Sequence, residues 1–264
     1  MREPVNRTIL LLDIERFSRR DDVVQAVLRR TMNTVVSQTL LAAGVEATQQ
    51  YREDRGDGLI VLLGGDVAKA AVLRALLTAT PELLHDHNRL ASASAQMRLR
   101  MVLATGEVAD DPQAGTTGGL VGHDLNQAFR LLDSDSLRGA LAGRTDAECV
   151  LAVSAAVYEG VVRHGHRGVR PEHFRRTDVQ VKDGVLAAWI HRGGGQPEIA
   201  AGEQQAATPS PVQEQRQPAG AVFHFHGAPV VHGSLVGGDQ HGVSGGQVTG
   251  DVILGGTLSK GAEL

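Results

Sequence analysis

Cysteine occurs once in this chain, at Cys149, and aromatic side chains make up only 3% of its 264 residues. A single thiol excludes an intrachain disulfide and a cysteine-built zinc site, and it suits a reducing compartment. No apolar run reaches the roughly 18 residues needed to span a bilayer. The opening Met-Arg-Glu-Pro also lacks the apolar segment of a secretory signal. The expectation is a soluble, cytoplasmic protein with no membrane span. Positive charge is not in excess either: 26 Lys and Arg stand against 30 Asp and Glu, a formal net charge of -4. With the arginines scattered rather than gathered in a tract, nucleic acid is not an expected partner.

What the chain does have is enough apolar residue, 42%, for one sizeable core, and 32 glycines that are unevenly spread. Composition breaks near residue 193. Residues 1–192 read as a globular domain. Residues 193–220, "GGGQPEIAAGEQQAATPSPVQEQRQPAG", have almost nothing to bury and read as a flexible linker. Residues 221–264 are rich in Gly and Val.

Inside the globular part, strand-length and helix-length periodicities alternate. "TILLLD" (8–13) and "GLIVLL" (58–63) read as buried strands, and 23–44 carries apolar residues at helical spacing up to Gly44. Residues 67–90 read as helix that Pro81 breaks or kinks. In 97–108, Leu99, Met101 and Leu103 alternate, as in a strand with one wet side. Residues 124–134 are helical, 149–154 form a strand leading into a helix capped by Ser154, and 178–191 form a hairpin around Asp183-Gly184. The sum is an α/β sandwich.

Two carboxylates stand out by position. Asp13 ends the first strand, and Asp57, in "REDRGDGLIVLL", precedes another, so both can meet on one rim of a sheet. Paired carboxylates offer hard oxygen ligands to Mg²⁺ or Mn²⁺. The plain alternative makes Asp13 a helix cap and Asp57 a turn residue before Gly58.

The order of five segments adds to this pair. "LLLDIERFS", "REDRGDGLIVL", "RLRMVLATGEV", "GGLVGHDLNQAFRLLD" and "VQVKDG" together resemble a class III nucleotide cyclase homology domain over about residues 6–192. "EDRGDG" and "AFRLLD" are similar to an actinobacterial group of such domains. The resemblance implies a ferredoxin-like βαββαβ fold, with helices packed on a mixed, mainly antiparallel sheet. It also implies cyclisation of a nucleoside triphosphate to a 3′,5′-cyclic nucleotide and pyrophosphate.

By the same resemblance, Asp13 and Asp57, joined by the Ile14 carbonyl, hold two Mg²⁺ or Mn²⁺ ions per site. Asn126 and Arg130, four residues apart and so on one helix face, orient the ribose and stabilise charge on the α-phosphate. Lys182 holds the triphosphate. In the family the aspartates and the Asn-Arg pair come from different domains, so a chain with one domain implies a head-to-tail homodimer. Three positions depart from the family: Arg16 and Asp183 stand at glycines, and Gly119 stands at one base-selecting position.

The other base-selecting position is Glu53. A carboxylate there accepts from the N1-H and amino group of guanine and repels adenine N1. Cytosine also has an amino donor, and the space beside Gly119 leaves room for a rearranged pocket, so the resemblance extends to pyrimidine cyclases of antiphage systems. The plain alternative makes Glu53 and Asp54 solvated charges on a strand end.

Other candidates read more simply. His164, His166 and His173 fit a solvated loop better than a metal cluster, and "GTTGGLVG" lacks the Lys-Ser/Thr of a Walker loop. The tail contains a repeat: an 18-residue shift aligns "GAPVVHGSLVGG" (227–238) with "GGQVTGDVILGG" (245–256). It resembles bacterial amyloid-signalling motifs, which implies a partner carrying a matching motif; a disordered Gly-rich tail is the alternative. Two functions remain: an active cyclase, or a catalytically inactive cyclase-like dimerisation scaffold that signals through its tail.

Overall fold

The structure is a computed structural model in which residues 2–111, 119–181 and 184–193 are described, together with short strands between residues 224 and 259. The chain divides into two units, Met1–Glu198 and Ile199–Leu264, which are taken separately.

The first unit is a mixed α/β layer structure. Its strands are β1 (Val5–Ile14), β2 (Gln50–Asp54), β3 (Gly58–Leu63), β4 (Leu99–Asp110), β5 (Leu120–Val121), β6 (Cys149–Ser154), β7 (Phe174–Val181) and β8 (Gly184–His191). The helices are α1 (Asp22–Ala42), α2 (Lys69–Leu90), α3 (His123–Leu132), α4 (Asp135–Ala142) and α5 (Ala155–Gly160). The opening β1-α1-β2-β3-α2-β4 gives the strand order β2-β3-β1-β4, and β6, β8 and β7 extend the sheet beyond β4. All pairings are antiparallel except β4 with β6. The ferredoxin-like sandwich on a mainly antiparallel sheet is therefore present.

The alternation of β1 sorts two cores onto the two faces of the sheet. Leu10, Leu12 and Ile14 pack with Leu28, Met32 and Leu40 of α1 and Leu73 and Leu76 of α2. Ile9 and Leu11 pack with Ile60, Val102 and the α3 and α4 residues Leu125, Ala128 and Leu137. Covering both faces changes one expectation: β4 has no wet side, because α3 and α4 bury Val102 and Ala104 opposite Met101 and Leu103. Pro81 does not break α2, which runs through it. The helix expected at 124–134 stops at Leu132, and Ser134 caps a separate α4 through Leu137 N-H.

Local chemistry fixes the ends of these elements. Asp21 caps α1 by accepting from Val24 N-H at 2.9 Å, and Ser154 caps α5. Arg98 closes the far end of α4: its guanidinium donates to the Leu141, Arg144 and Ala147 carbonyls and to Glu15. Gly58 lets β3 approach β1 closely, since a Cβ there would lie 2.7 Å from the Leu12 carbonyl oxygen.

The second unit is described only as backbone strands. β9 (His224–Phe225), β10 (Val230–Val231) and β11 (Ser234–Val236) recur 18 residues later as β12 (Gly242–Ser244), β13 (Val248–Thr249) and β14 (Val252–Leu254), followed by β15 (Thr257–Ser259). The two sets pair antiparallel in reversed order: β9 with β14, β10 with β13, and β11 with β12. The sequence repeat is thus also a repeat of strands. The linker expected at 193–220 lies, beyond Gly193, outside the described residues.

Candidate functional site

Asp13 and Asp57 arrive at the same rim because β1 and β3 are neighbours. Asp13 is the register partner of Gly58, and Ile14 N-H donates to the Asp57 carbonyl at 3.0 Å. The plain roles expected for these aspartates are filled by others. Asp21, not Asp13, caps the following helix. Asp54, not Asp57, accepts the turn hydrogen bond from Gly56 N-H at 2.8 Å, while Gly56 takes the left-handed φ of 86° that the turn requires. The Asp57 side chain is exposed at the turn.

Asp13 has a partner that strand spacing did not reveal. On the α3 and α4 face of the sheet, Arg100 of β4 lies directly opposite it and grips it with two hydrogen bonds, Nε to Oδ1 at 2.8 Å and Nη2 to Oδ2 at 2.6 Å. Both side chains are largely buried. Burial raises the Asp13 carboxyl above its ordinary value; Arg100 opposes that rise, and the Asp57 and Asp133 charges add to it. Asp57 and Asp133 thus lie near enough for their charges to act on Asp13, while Arg100 is its hydrogen-bonded partner. "RLRMVL" shows the arginine in sequence, but only the β1–β4 register places it on Asp13.

The loop after Asp13 accommodates a non-glycine at a glycine's position. Arg16 is the one described non-glycine residue with positive φ, at φ 57° and ψ 30°. An L-residue there costs about 1–2 kcal/mol. Glu15 ties the same loop to the core, with its N-H on the Arg98 carbonyl at 2.9 Å and its carboxylate on the Arg98 guanidinium.

Asn126 and Arg130 sit on α3, whose start is set by Asp124 accepting from Glu107 N-H of β4 at 3.3 Å in the space beside Gly106. Asn126 is exposed. Arg130 lines a surface groove with Phe129, Asp133, Arg138, Asp178 and Gln180, and neither Asp13 nor Asp57 lines it. Asn126 does not line that groove, and Asp133, whose charge acts on Asp13, does. Lys182 lies outside the described residues.

Glu53 is not a solvated charge. Its side chain is 8% exposed, on the same sheet face as Ile60 and Leu62. The Tyr51 hydroxyl donates to Glu53 Oε2 at 3.2 Å. Arg55 Nε lies 2.9 Å from Oε1, close enough for an ion pair, yet Oε1 has no aligned hydrogen bond. Distance and alignment disagree here, and alignment decides whether an acceptor is satisfied. Asp54 behaves differently: it is exposed and paired with Arg29 at 2.7 Å.

The space expected beside Gly119 is filled. Gly119 carbonyl accepts from Asp111 N-H at 2.7 Å, and a Cβ on Gly119 would sit 2.7 Å from the Asp111 carbonyl oxygen. The glycine there permits a close backbone approach rather than opening a cavity.

Among the described residues no group of three or more His, Cys, Asp or Glu side chains gathers to hold a metal ion. The His164 and His166 rings lie 6.1 Å apart, and His173 packs instead against His191 at 5.8 Å. Burial pushes the Cys149 thiol up to about 12, which makes it a packing residue rather than a nucleophile. No described helix is long and apolar enough to cross a membrane.

No family model matches the chain, and no curated protein matches it. Solved structures do. The guanylyl cyclase Cya2 is 16% identical, with a TM-score of 0.49, covering 75% of this chain and 96% of that one. An adenylate/guanylate cyclase/hydrolase from Silicibacter pomeroyi is 17% identical, with a TM-score of 0.49, covering 74% of this chain and 100% of that one. A bacterial light-regulated adenylyl cyclase is 17% identical at a TM-score of 0.50, covering 72% of this chain and 51% of the other. At such identity this last likeness is one of fold.

Proposed function

We propose that the chain is a nucleotide cyclase that converts a nucleoside triphosphate to a 3′,5′-cyclic nucleotide and pyrophosphate in a head-to-tail homodimer. The observation that carries this reading is the meeting of Asp13 and Asp57 at one rim while Asp21 and Asp54 do the capping and turn work. With the Ile14 carbonyl they would offer oxygen donors of the kind that hold Mg²⁺ or Mn²⁺, two ions per site. Such ions, when bound, lower the pKa of the ribose 3′-hydroxyl and offset the charge of the leaving pyrophosphate.

The remaining roles fall to this chain's own side chains. Arg100, which grips Asp13 here, would be free to hold triphosphate oxygens if Asp13 served as a metal ligand. Asn126 and Arg130 of the second subunit orient the ribose and stabilise charge on the α-phosphate as its 3′-oxygen attacks in line. The exposure of Asn126 supports a site completed by a second subunit. Glu53 reads the base, guanine or a pyrimidine rather than adenine, and Lys182 reaches the triphosphate. Residues 1–192 form the cyclase domain, 193–220 the linker and 221–264 an interaction tail, in a signalling role that extends to antiphage defence. Strands that repeat with the sequence support a tail that recruits a partner with a matching motif.

One observation favours a second reading, an inactive dimerisation scaffold signalling through the tail: the bidentate Arg100 pair occupies the Asp13 carboxylate. Incubating the full chain with ATP, GTP, CTP and UTP plus Mn²⁺ separates the two. Cyclic product that vanishes in Asp57→Ala supports the cyclase; no product from folded, dimeric protein supports the scaffold.

A further inference from the structure

Glu15 stands between the Asp13-Ile14 pair and Arg16, the left-handed residue of the loop. Arg98 holds it twice. The Glu15 N-H donates to the Arg98 carbonyl at 2.9 Å, and its carboxylate Oε2 accepts from Arg98 Nη1 at 3.2 Å. The rest of the guanidinium is anchored elsewhere: Nε donates to the Ala147 carbonyl at 2.9 Å, and Nη2 to the carbonyls of Leu141 and Arg144, the latter at 2.7 Å. Both side chains are mostly buried. The loop that follows β1 is thus tied to the end of α4 and to the segment between α4 and β6.

Two features show that this tie serves the loop. Closing α4 needs only carbonyl acceptors, so the Glu15 carboxylate is the part that joins the anchor to the aspartates. A non-glycine residue also keeps left-handed backbone only where its surroundings over-determine it. Around Arg16 those ties are Glu15 on one side and, on the other, the Arg19 N-H bonded to the Arg16 carbonyl at 3.2 Å.

We propose that Glu15 and Arg98 are positioning residues, a clamp that holds the Asp13-Ile14 turn where its carboxylate and carbonyl oxygens can serve as metal ligands. The proposal rests on the cyclase reading, in which those oxygens meet Mg²⁺ or Mn²⁺. Arg100 grips the Asp13 carboxylate directly; Arg98 acts through Glu15, on the backbone that carries it. Groups that orient ligands in this way are typically worth about 10–100-fold in metal affinity.

The test measures Mn²⁺ binding to the full chain by calorimetry and, without metal, hydrogen exchange at the Ile14 and Glu15 amides, whose bonds to the Asp57 and Arg98 carbonyls the clamp protects. Glu15→Ala should weaken Mn²⁺ binding about tenfold and speed exchange at both amides, with the circular dichroism of the fold unchanged. Glu15→Gln keeps an acceptor for Arg98 Nη1 and should stay close to the unmutated chain in both measurements. Loss of a carboxylate charge by itself would weaken Mn²⁺ equally in the two variants. Equal weakening, or unchanged affinity or unchanged exchange in Glu15→Ala, therefore overturns the clamp. Mn²⁺ binding that survives Asp57→Ala defeats the metal reading instead, and the exchange comparison then decides by itself whether the pair holds the turn.

Discussion

On the face of the sheet covered by α1 and α2, the inward positions of β1 are Thr8, Leu10, Leu12 and Ile14, all buried and none charged. On the opposite face the same strand begins alike, with Ile9 and Leu11, and then places Asp13 against Arg100; two strands away that face buries Glu53. Helices cover both faces along β1 and β4, so the charges are not there for want of a lid. A face that served stability alone would gain from aliphatic residues at 13, 53 and 100, because buried ion pairs seldom repay their desolvation. The difference sets a largely aliphatic face against one that carries buried charge, and on the proposed reading the charged face serves a ligand.

Substitutions on the two faces should therefore part company. The largest effect expected is on the polar rim: Asp57→Ala should lower cyclic-nucleotide formation by two orders of magnitude or more while leaving the melting temperature nearly unchanged, since its side chain is exposed. Leu10→Ala, on the aliphatic face, should instead cost about 2–5 kcal/mol of stability in denaturant unfolding. Glu53→Gln should cost little or even stabilise, because it removes a buried charge whose Oε1 is unsatisfied. Equal destabilisation by Leu10→Ala and Glu53→Gln would erase the contrast.

A pH titration probes the sheet away from the rim. Burial, with His173 and Arg144 nearby, holds His191 down at about 4 from an ordinary 6.5. Its folded pKa is depressed, so the unfolded chain binds the extra proton between these values. Stability is then fully present above pH 6.5 and lost as pH falls toward 4, on the order of 2 kcal/mol. His191→Gln should flatten that slope in urea melts run at stepped pH. The smallest effect expected is Arg16→Gly, which exchanges left-handed strain for extra freedom of the unfolded chain and should stabilise by at most about 1 kcal/mol.

The long elements were legible because burial imposes a period on them: 8–13, 23–44 and 58–63 announce their strands and helix in the order of aliphatic residues alone. What escaped depended on neighbours far away in sequence. The second face of β4 is dry only because α3 and α4 return over it, and Arg100 pairs with a residue 87 positions away. Asp13 and Asp57 were legible as a rim pair, since each ends or begins a strand. The buried state of Glu53 was not, because "QYRED" is polar throughout and its face is decided by pairing with β3. Gly119 failed as a sign of space because a glycine is equally what a close backbone approach demands.

The measurement that bears most directly on the shared site mixes two disabled variants. Asp57→Ala lacks a metal ligand and Arg130→Ala lacks the partner's contribution, so each alone should form almost no cyclic nucleotide. Unfolded and refolded together at equal amounts, half the dimers should pair one of each, and each mixed dimer should rebuild one complete site of its two. The account predicts recovery to about a quarter of the unmutated protein's rate. A mixture as inactive as its parts, from material shown to be folded and dimeric, would contradict a site built from the aspartates of one subunit and the α3 residues of the other.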